Sequence, residues 1–219
     1  MRILSRVLSI LLVALLALAG TSALADEASE AAEIAKSVYA QATEHEKEVT
    51  SKLQSLETDS AKLVGLDFRQ KSEESIARKI LLDAHDMEIS LEAAGKNIHD
   101  ALRYTFCIED SEYVSRMDSI LKTLTAEGYN VKKLKNFWGG EGYQGVNAQL
   151  TLPDGFYFEL QFHTADSYDA KENKAHPLYE IIRREDATVE EITENVLKMN
   201  EIYAAVPVPE GITDYVWPN

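Results

Sequence analysis

Glu159, Gln161 and His163 occupy every second position of the stretch GFYFELQFHT, residues 155–164. In a strand of period two they share a face with Tyr157, while Phe156, Phe158, Leu160 and Phe162 share the opposite one. A carboxylate, an amide and an imidazole in line can bind a polar ligand and move a proton. A solvated sheet face explains any one of them as readily. It explains the group less well, because amides and a lone Glu are poor strand formers. The preceding run VNAQLT, residues 146–151, and the turn Pro153-Asp154-Gly155 predict a hairpin. In it Gln149 stands opposite Glu159, and Asn147 opposite Gln161, which widens the polar patch.

Four further sets carry possible chemistry. The loop GGEGYQG, residues 139–145, holds four Gly in seven positions, so its backbone can approach a ligand closely. Tyr143 and Trp138 can stack on a flat base there; a flexible connection is the plainer reading. Arg69, Lys71, Arg78 and Lys79, with Ser75 among them, gather cations at the start of a helix, where backbone N–H groups also favour anions. A polyphosphate suits that combination, and ion pairs to Glu73 and Glu74 are its ordinary alternative. Asp100 and Arg103 sit at the start of a strand. Asp100 with Glu159 could hold Mg²⁺, which takes one or two carboxylates plus substrate phosphates; a simple Asp–Arg ion pair fits as well. Finally His176, Tyr179, Glu180 and Arg183 fall on one helix face, where core packing by Tyr179 with an exposed Arg is an equal reading.

These residues need elements to position them. Residues 27–62 are rich in Ala, Glu, Lys and Ser without Gly or Pro. The spacing of Ile34, Val38 and Ala42, and of Val49, Leu53 and Leu56, predicts one or two amphipathic helices. Ser72 caps an expected helix over 73–87, and a short one follows near 91–98. Leu102 to Ile108 is β-branched and aromatic and reads as a strand. A helix over 111–126 ends at Gly128. Strands are expected over 131–137, 146–152 and 156–164, then helices over 165–184 and 189–205. Helices and strands are mixed and one hairpin is explicit, so the fold class is α+β. The expected core is a mixed or antiparallel sheet of four to five strands flanked by helices. The domain reading is a leader over 1–25, an N-terminal helical segment over 26–65, the main domain over 66–206 and a tail over 207–219.

The leader rests on the basic start Met1–Arg6, the apolar run from Val7 to Leu18 and the small-x-small exit Ala23-Leu24-Ala25, which together describe a secretory signal peptide. The apolar run is short for a membrane span, so a secreted or periplasmic protein without a stable membrane anchor is expected after cleavage. Removing residues 1–25 takes away Arg2 and Arg6 and no acid, which moves the formal charge from −15 to −17 and leaves 194 of 219 residues. So acidic a protein is unsuited to general nucleic-acid or anionic-membrane binding. Cys107 is the single cysteine, so no intramolecular disulfide supports the fold.

Taken in order, Arg69-Gln70-Lys71, Ser75-Ile76, Lys79, Arg103, Gly142-Tyr143-Gln144-Gly145 and Glu159-Leu160-Gln161-Phe162-His163-Thr164 resemble the RelA/SpoT-type synthetase domain over residues 66–184. The nearest resemblance is to secreted nucleotide 3′-pyrophosphokinases, because a leader is present without a regulatory or hydrolase domain. The resemblance implies transfer of pyrophosphate from ATP to the 3′-hydroxyl of a purine nucleotide, with AMP released. It implies that Arg69 and Arg103 sandwich the ATP adenine, that Lys71 and Lys79 hold its phosphates and that Ser75 hydrogen-bonds there. Tyr143 would stack on the acceptor base, with Gln144, Asn147 and His163 among the nucleotide-binding positions. Glu159 would be general base and, with Asp100, Mg²⁺ ligand; Gln161 would support the reaction.

Three positions depart from that pattern. Ile98 stands where an Asp is usual, five residues before the strand Arg, and Asp100 stands three before it. Asn147 replaces a His, and His163 a frequent Arg. The last two remove positive charge near the acceptor, which leaves adenine as well as guanine nucleotides as acceptors. The competing readings are an exported nucleotide-binding module without catalysis, and a secreted toxin acting on another substrate. Oligomeric state is left open.

Overall fold

The computed structural model describes residues 21–184 and 186–217. The leader expected over residues 1–25 therefore lies outside them up to residue 20. The described chain opens with one long helix, α1 (Thr21–Gln54), where the sequence allowed one or two. Ala31, Ala35, Ala42, Val49 and Leu53 form its fully buried stripe. This is the apolar face that helical spacing requires, and α1 lays it against α2 (Glu73–Met87) and α3 (Leu91–Lys96). Ser72 caps α2 as expected, its hydroxyl accepting from the Ser75 amide at 3.2 Å.

One five-stranded mixed sheet forms the centre: β1 (Ala61–Val64), β2 (Arg103–Ile108), β5 (Tyr157–His163), β4 (Val146–Thr151) and β3 (Asn130–Asn136), in that spatial order. Only β2 and β5 run parallel; the other neighbours are antiparallel. The α+β expectation holds. β1 falls inside the stretch read as helical, because four residues on a sheet edge take their identity from pairing with β2 rather than from their own pattern.

Tyr104, Phe106, Phe158, Leu160 and Phe162 are buried on one face of the sheet. There α4 (Tyr113–Ala126) contributes Tyr113, Met117, Leu121 and Leu124. The opposite face carries the alternate residues of β5 and is covered as well. A helical run crosses it as α5 (Ala165–Asp169), a π-helical turn (Ala170–Ala175) and α6 (His176–Ile182), followed by α7 (Val189–Ala204). The expected tail packs down at one point: Ile212 is fully buried, its carbonyl accepts from Asn136 Nδ2 at 2.7 Å, and Tyr215 donates to Asp118 at 3.0 Å. No helix among the described residues is long and apolar enough to cross a membrane.

Candidate active site

The site is built on the register of β2, β5 and β4. Arg103 pairs with Glu159 and Thr105 with Gln161 across the parallel strands. Gln149 pairs with Glu159 and Asn147 with Gln161 across the hairpin, the pairing read from the sequence. The segment after the 3₁₀ turn Leu66–Phe68 then docks beside β2. The Lys71 amide donates to the Ala101 carbonyl at 3.0 Å, and the Arg103 amide to the Arg69 carbonyl at 2.7 Å. Residues 30 and 34 positions apart in the chain thus become neighbours at the start of β2.

Asp100, Lys71, Arg103 and Glu159 make the charged centre. Lys71 Nζ lies 2.9 Å from Asp100 Oδ2. Burial pushes the Lys71 ammonium below its ordinary pKa against the pull of Asp100. Burial alone would raise Asp100; Lys71, Lys79 and Arg103 together hold its carboxyl below the usual value. Glu159 moves the other way. Burial and then the Asp100 charge raise its carboxyl, only partly opposed by Arg103, by a hydrogen bond from Gln161 and by Lys71. Two carboxylates in one site with opposite shifts are the usual signature of divided roles. Gln161 Nε2 donates to Glu159 Oε1 at 2.8 Å and orients it.

Asp100 Oδ1 is buried without a hydrogen-bond partner. Such an orphan costs about 1–3 kcal/mol unless something binds it. An unpaired carboxylate oxygen in the field of a second carboxylate fits Mg²⁺, which needs few protein ligands when substrate phosphates complete its shell. Glu159, on whose carboxyl the Asp100 charge bears, is the second carboxylate of this pair.

Around this centre the structure sorts the remaining expected residues. Lys79 reaches Asp83 at 3.1 Å and also bears on Asp100. Ser75 sits in the first turn of α2, its hydroxyl accepting from Ser72 at 3.0 Å. Arg69 has protein partners: its Nε pairs with Glu46 of α1, and its Nη1 donates to the Leu66 carbonyl at 2.5 Å. The side chain is drawn to α1, because Glu46 is the carboxylate within reach and Thr50 donates to it at 2.7 Å.

The glycine-rich loop behaves differently from a bare ligand cradle. Gln144 is buried, accepts from the Gly139 amide at 3.1 Å, and donates to the Gly140 and Gly142 carbonyls at 2.8 and 2.9 Å. Its whole amide braces the loop. Trp138 is likewise buried, with Nε1 donating to Tyr113 at 3.0 Å, so it is core and no stacking platform. Tyr143 is half-buried between Phe137, His163 and Tyr203, edge to face with each. Its hydroxyl donates to Asn147 Oδ1 at 2.7 Å and lies 2.8 Å from His163 Nε2. His163 Nδ1 lies 2.8 Å from Ser167 Oγ. Gly145 makes room for this chain: a Cβ there would stand 2.8 Å from His163 Cε1 and 3.0 Å from the Tyr143 hydroxyl. His163 is fully buried, and burial, with Lys171 and Arg103, pushes its pKa down to about 3, so it is a neutral part of the support.

One site residue was missed. Lys171, on the π-helical turn, donates to Gln161 Oε1 at 3.0 Å and to Glu172 Oε1 at 2.5 Å. Within an expected regular helix nothing singled it out. The only signal was that π turns collect at functional sites, and a π turn is not legible from spacing. His176, Tyr179, Glu180 and Arg183 instead pair among themselves on α6.

Lys171 and Arg103 line a cleft with Val64, Gly65, Phe68 and Tyr168, which now holds a cavity of about 20 Å³. Gly65, with a φ of 65°, is required there: a Cβ would stand 2.7 Å from the Tyr168 hydroxyl. A larger cavity of about 420 Å³ lies against α1, α3 and the β4–β5 turn, lined by Ile34, Val38, Ile98 and His99. None of the charged centre lines it.

No family model matches the chain, and no curated protein does. Solved structures do match. The chain is similar to smu.1046c from Streptococcus mutans UA159, with 15% identity over 76% of this chain and 88% of that one, at a TM-score of 0.51. Small alarmone synthetase 1 from Bacillus subtilis, solved with its product pppGpp, has 17% identity over 76% and 86% of the two chains at 0.49. Small alarmone synthetase 2 from Bacillus subtilis has 17% over 78% and 90% at 0.44. At these identities the likeness is one of fold. The shared feature is the architecture, a mixed sheet flanked by helices, which this chain has in common with smu.1046c.

Proposed function

We propose that the protein is an exported ATP:nucleotide 3′-pyrophosphotransferase. The observation that supports this most is the convergence of Lys71, Asp100, Arg103, Glu159 and Gln161, from three separate stretches of chain, on one sheet face in the order the motifs imply. The acceptor 3′-oxygen attacks the β-phosphorus of ATP as the bridging oxygen to the α-phosphorus departs with AMP. Glu159, whose carboxyl is raised by burial, takes the hydroxyl proton, and Gln161 holds it in line. Lys71 and Arg103 would stabilise the charge that builds on the transferred group, since most catalysis of such transfers is positioning and charge stabilisation. Mg²⁺, held by Asp100 and Glu159, would neutralise the phosphate oxygens and align them. The exchange of Asn for His at 147 and the neutral His163 leave the acceptor base open between adenine and guanine. Export is proposed from the leader over residues 1–25.

The test mixes purified protein, Mg²⁺, ATP and a panel of purine nucleotides and analyses the products. AMP and a 3′-pyrophosphorylated nucleotide in equal amounts are expected. Nucleotide binding without either product would make the protein a binding module on this fold.

A further inference from the structure

Lys171 is an unusual residue to bury in this place. It leaves a π-helical turn, lies over the centre of the sheet and touches Gln161, the neighbour of the proposed base. It lines the same narrow cleft as Arg103, and the two cations act on each other: the Arg103 charge, after burial, lowers the Lys171 ammonium. Two like charges facing one small cleft repel most strongly where water is scarce. Glu172 lines the same cleft and pairs with Lys171 at 2.5 Å, which leaves Arg103 facing it without that carboxylate's hydrogen bond. An anion in the cleft removes the repulsion and employs both groups.

We infer that Lys171 binds the polyphosphate of the donor nucleotide together with Arg103, giving up its present partners to do so. An ammonium has three donors. Two now go to Gln161 and Glu172, the second an adjacent residue on the same turn. Exchanging them for phosphate oxygens releases the Gln161 carbonyl oxygen while its amide stays on Glu159. Occupancy of the cleft is thereby signalled to the base through one side chain. The 20 Å³ cavity shows that Lys171, Glu172 or Tyr168 must move aside for a nucleotide, and a π turn is where a helix yields most readily.

The assignment rests on the proposed reaction only in taking ATP as donor, and it is read by binding alone. Calorimetric titration with α,β-methylene ATP and with adenosine is carried out on wild type, Lys171→Gln and Lys171→Arg. Loss of one charged phosphate contact is expected to weaken the triphosphate analogue roughly 10- to 100-fold in Lys171→Gln. Adenosine affinity should stay unchanged, and Lys171→Arg should recover much of the loss. Lys171→Met keeps the stem and is read in the same way if Lys171→Gln does not fold. Unchanged triphosphate affinity, or equal loss for adenosine, overturns the assignment. Wild type that binds the analogue but yields no product overturns the transfer reading and leaves Lys171 standing. Wild type that binds no ATP analogue overturns both.

Discussion

Glu159 and His163 sit four residues apart on one strand face, and their surroundings give them opposite tasks. Glu159 is raised by burial and by Asp100 yet keeps a donor from Gln161, the condition of a buried base that must accept a proton. Glu159→Gln is expected to lower turnover by about 10²-fold or more, checked by product chromatography at saturating Mg²⁺ and nucleotide. His163 is held neutral, which has a consequence for stability. Its folded pKa of about 3 lies below the ordinary 6.5, so below that value the unfolded chain takes up a proton that the native fold refuses. Stability contributed by this residue therefore falls as pH drops from 6.5 toward 3. His163→Gln should melt at lower temperature at neutral pH but lose less between neutral and about pH 5 than wild type does, measured by thermal melts across that range. At this scale the sequence singled out Glu159, Gln161, Lys71, Asp100 and Arg103, and the fold brings these five together. That Gln144 and Trp138 spend their hydrogen bonds on the protein was not legible, because residue type does not say which partner an amide or indole takes.

At the scale of elements, the hairpin and the glycine-rich loop set the accuracy of the site. Gly145 lets Tyr143 and His163 meet above the backbone. Gly145→Ala forces a methyl into 2.8 Å contact with the imidazole and should cost about 1–3 kcal/mol, seen as a lower denaturation midpoint. Ser72→Ala removes the α2 cap and should cost about 0.5–2 kcal/mol, with the larger functional effect on ATP affinity, since α2 carries Ser75 and Lys79. Much of this was legible. The Ser72 cap and the alternation of β5 are local patterns, and the opposite placement of Gln149 and Glu159 followed from turn length. β1, the Glu46–Arg69 pair and the π turn with Lys171 were not, because each exists only through contact between distant parts of the chain. The polar face of β5 also proved covered rather than wet: Gln161 is 3% exposed and His163 fully buried. Alternation reports which residues share a face, not what lies over it.

In the whole molecule α1 is part of the domain. It carries a buried stripe from Ala31 to Leu53 and grips Arg69 through Glu46 and Gln70 through Thr43. A chain beginning at Asp26 keeps the entire stripe and should melt like the full protein; one beginning after Gln54 should lose its cooperative transition in calorimetry, since the apolar faces of α2 and α3 packed on the stripe would be exposed. The central claim is that this fold brings a buried base and a phosphate-binding cation cluster to one sheet face for pyrophosphate transfer. The most direct measurement follows AMP and nucleotide 3′-pyrophosphate together in reactions of wild type and Glu159→Gln with Mg-ATP and purine nucleotides. The expected result is stoichiometric formation of both by wild type and their near absence in the variant. Equal activity of the two proteins, or AMP without a 3′-pyrophosphorylated product, would contradict it.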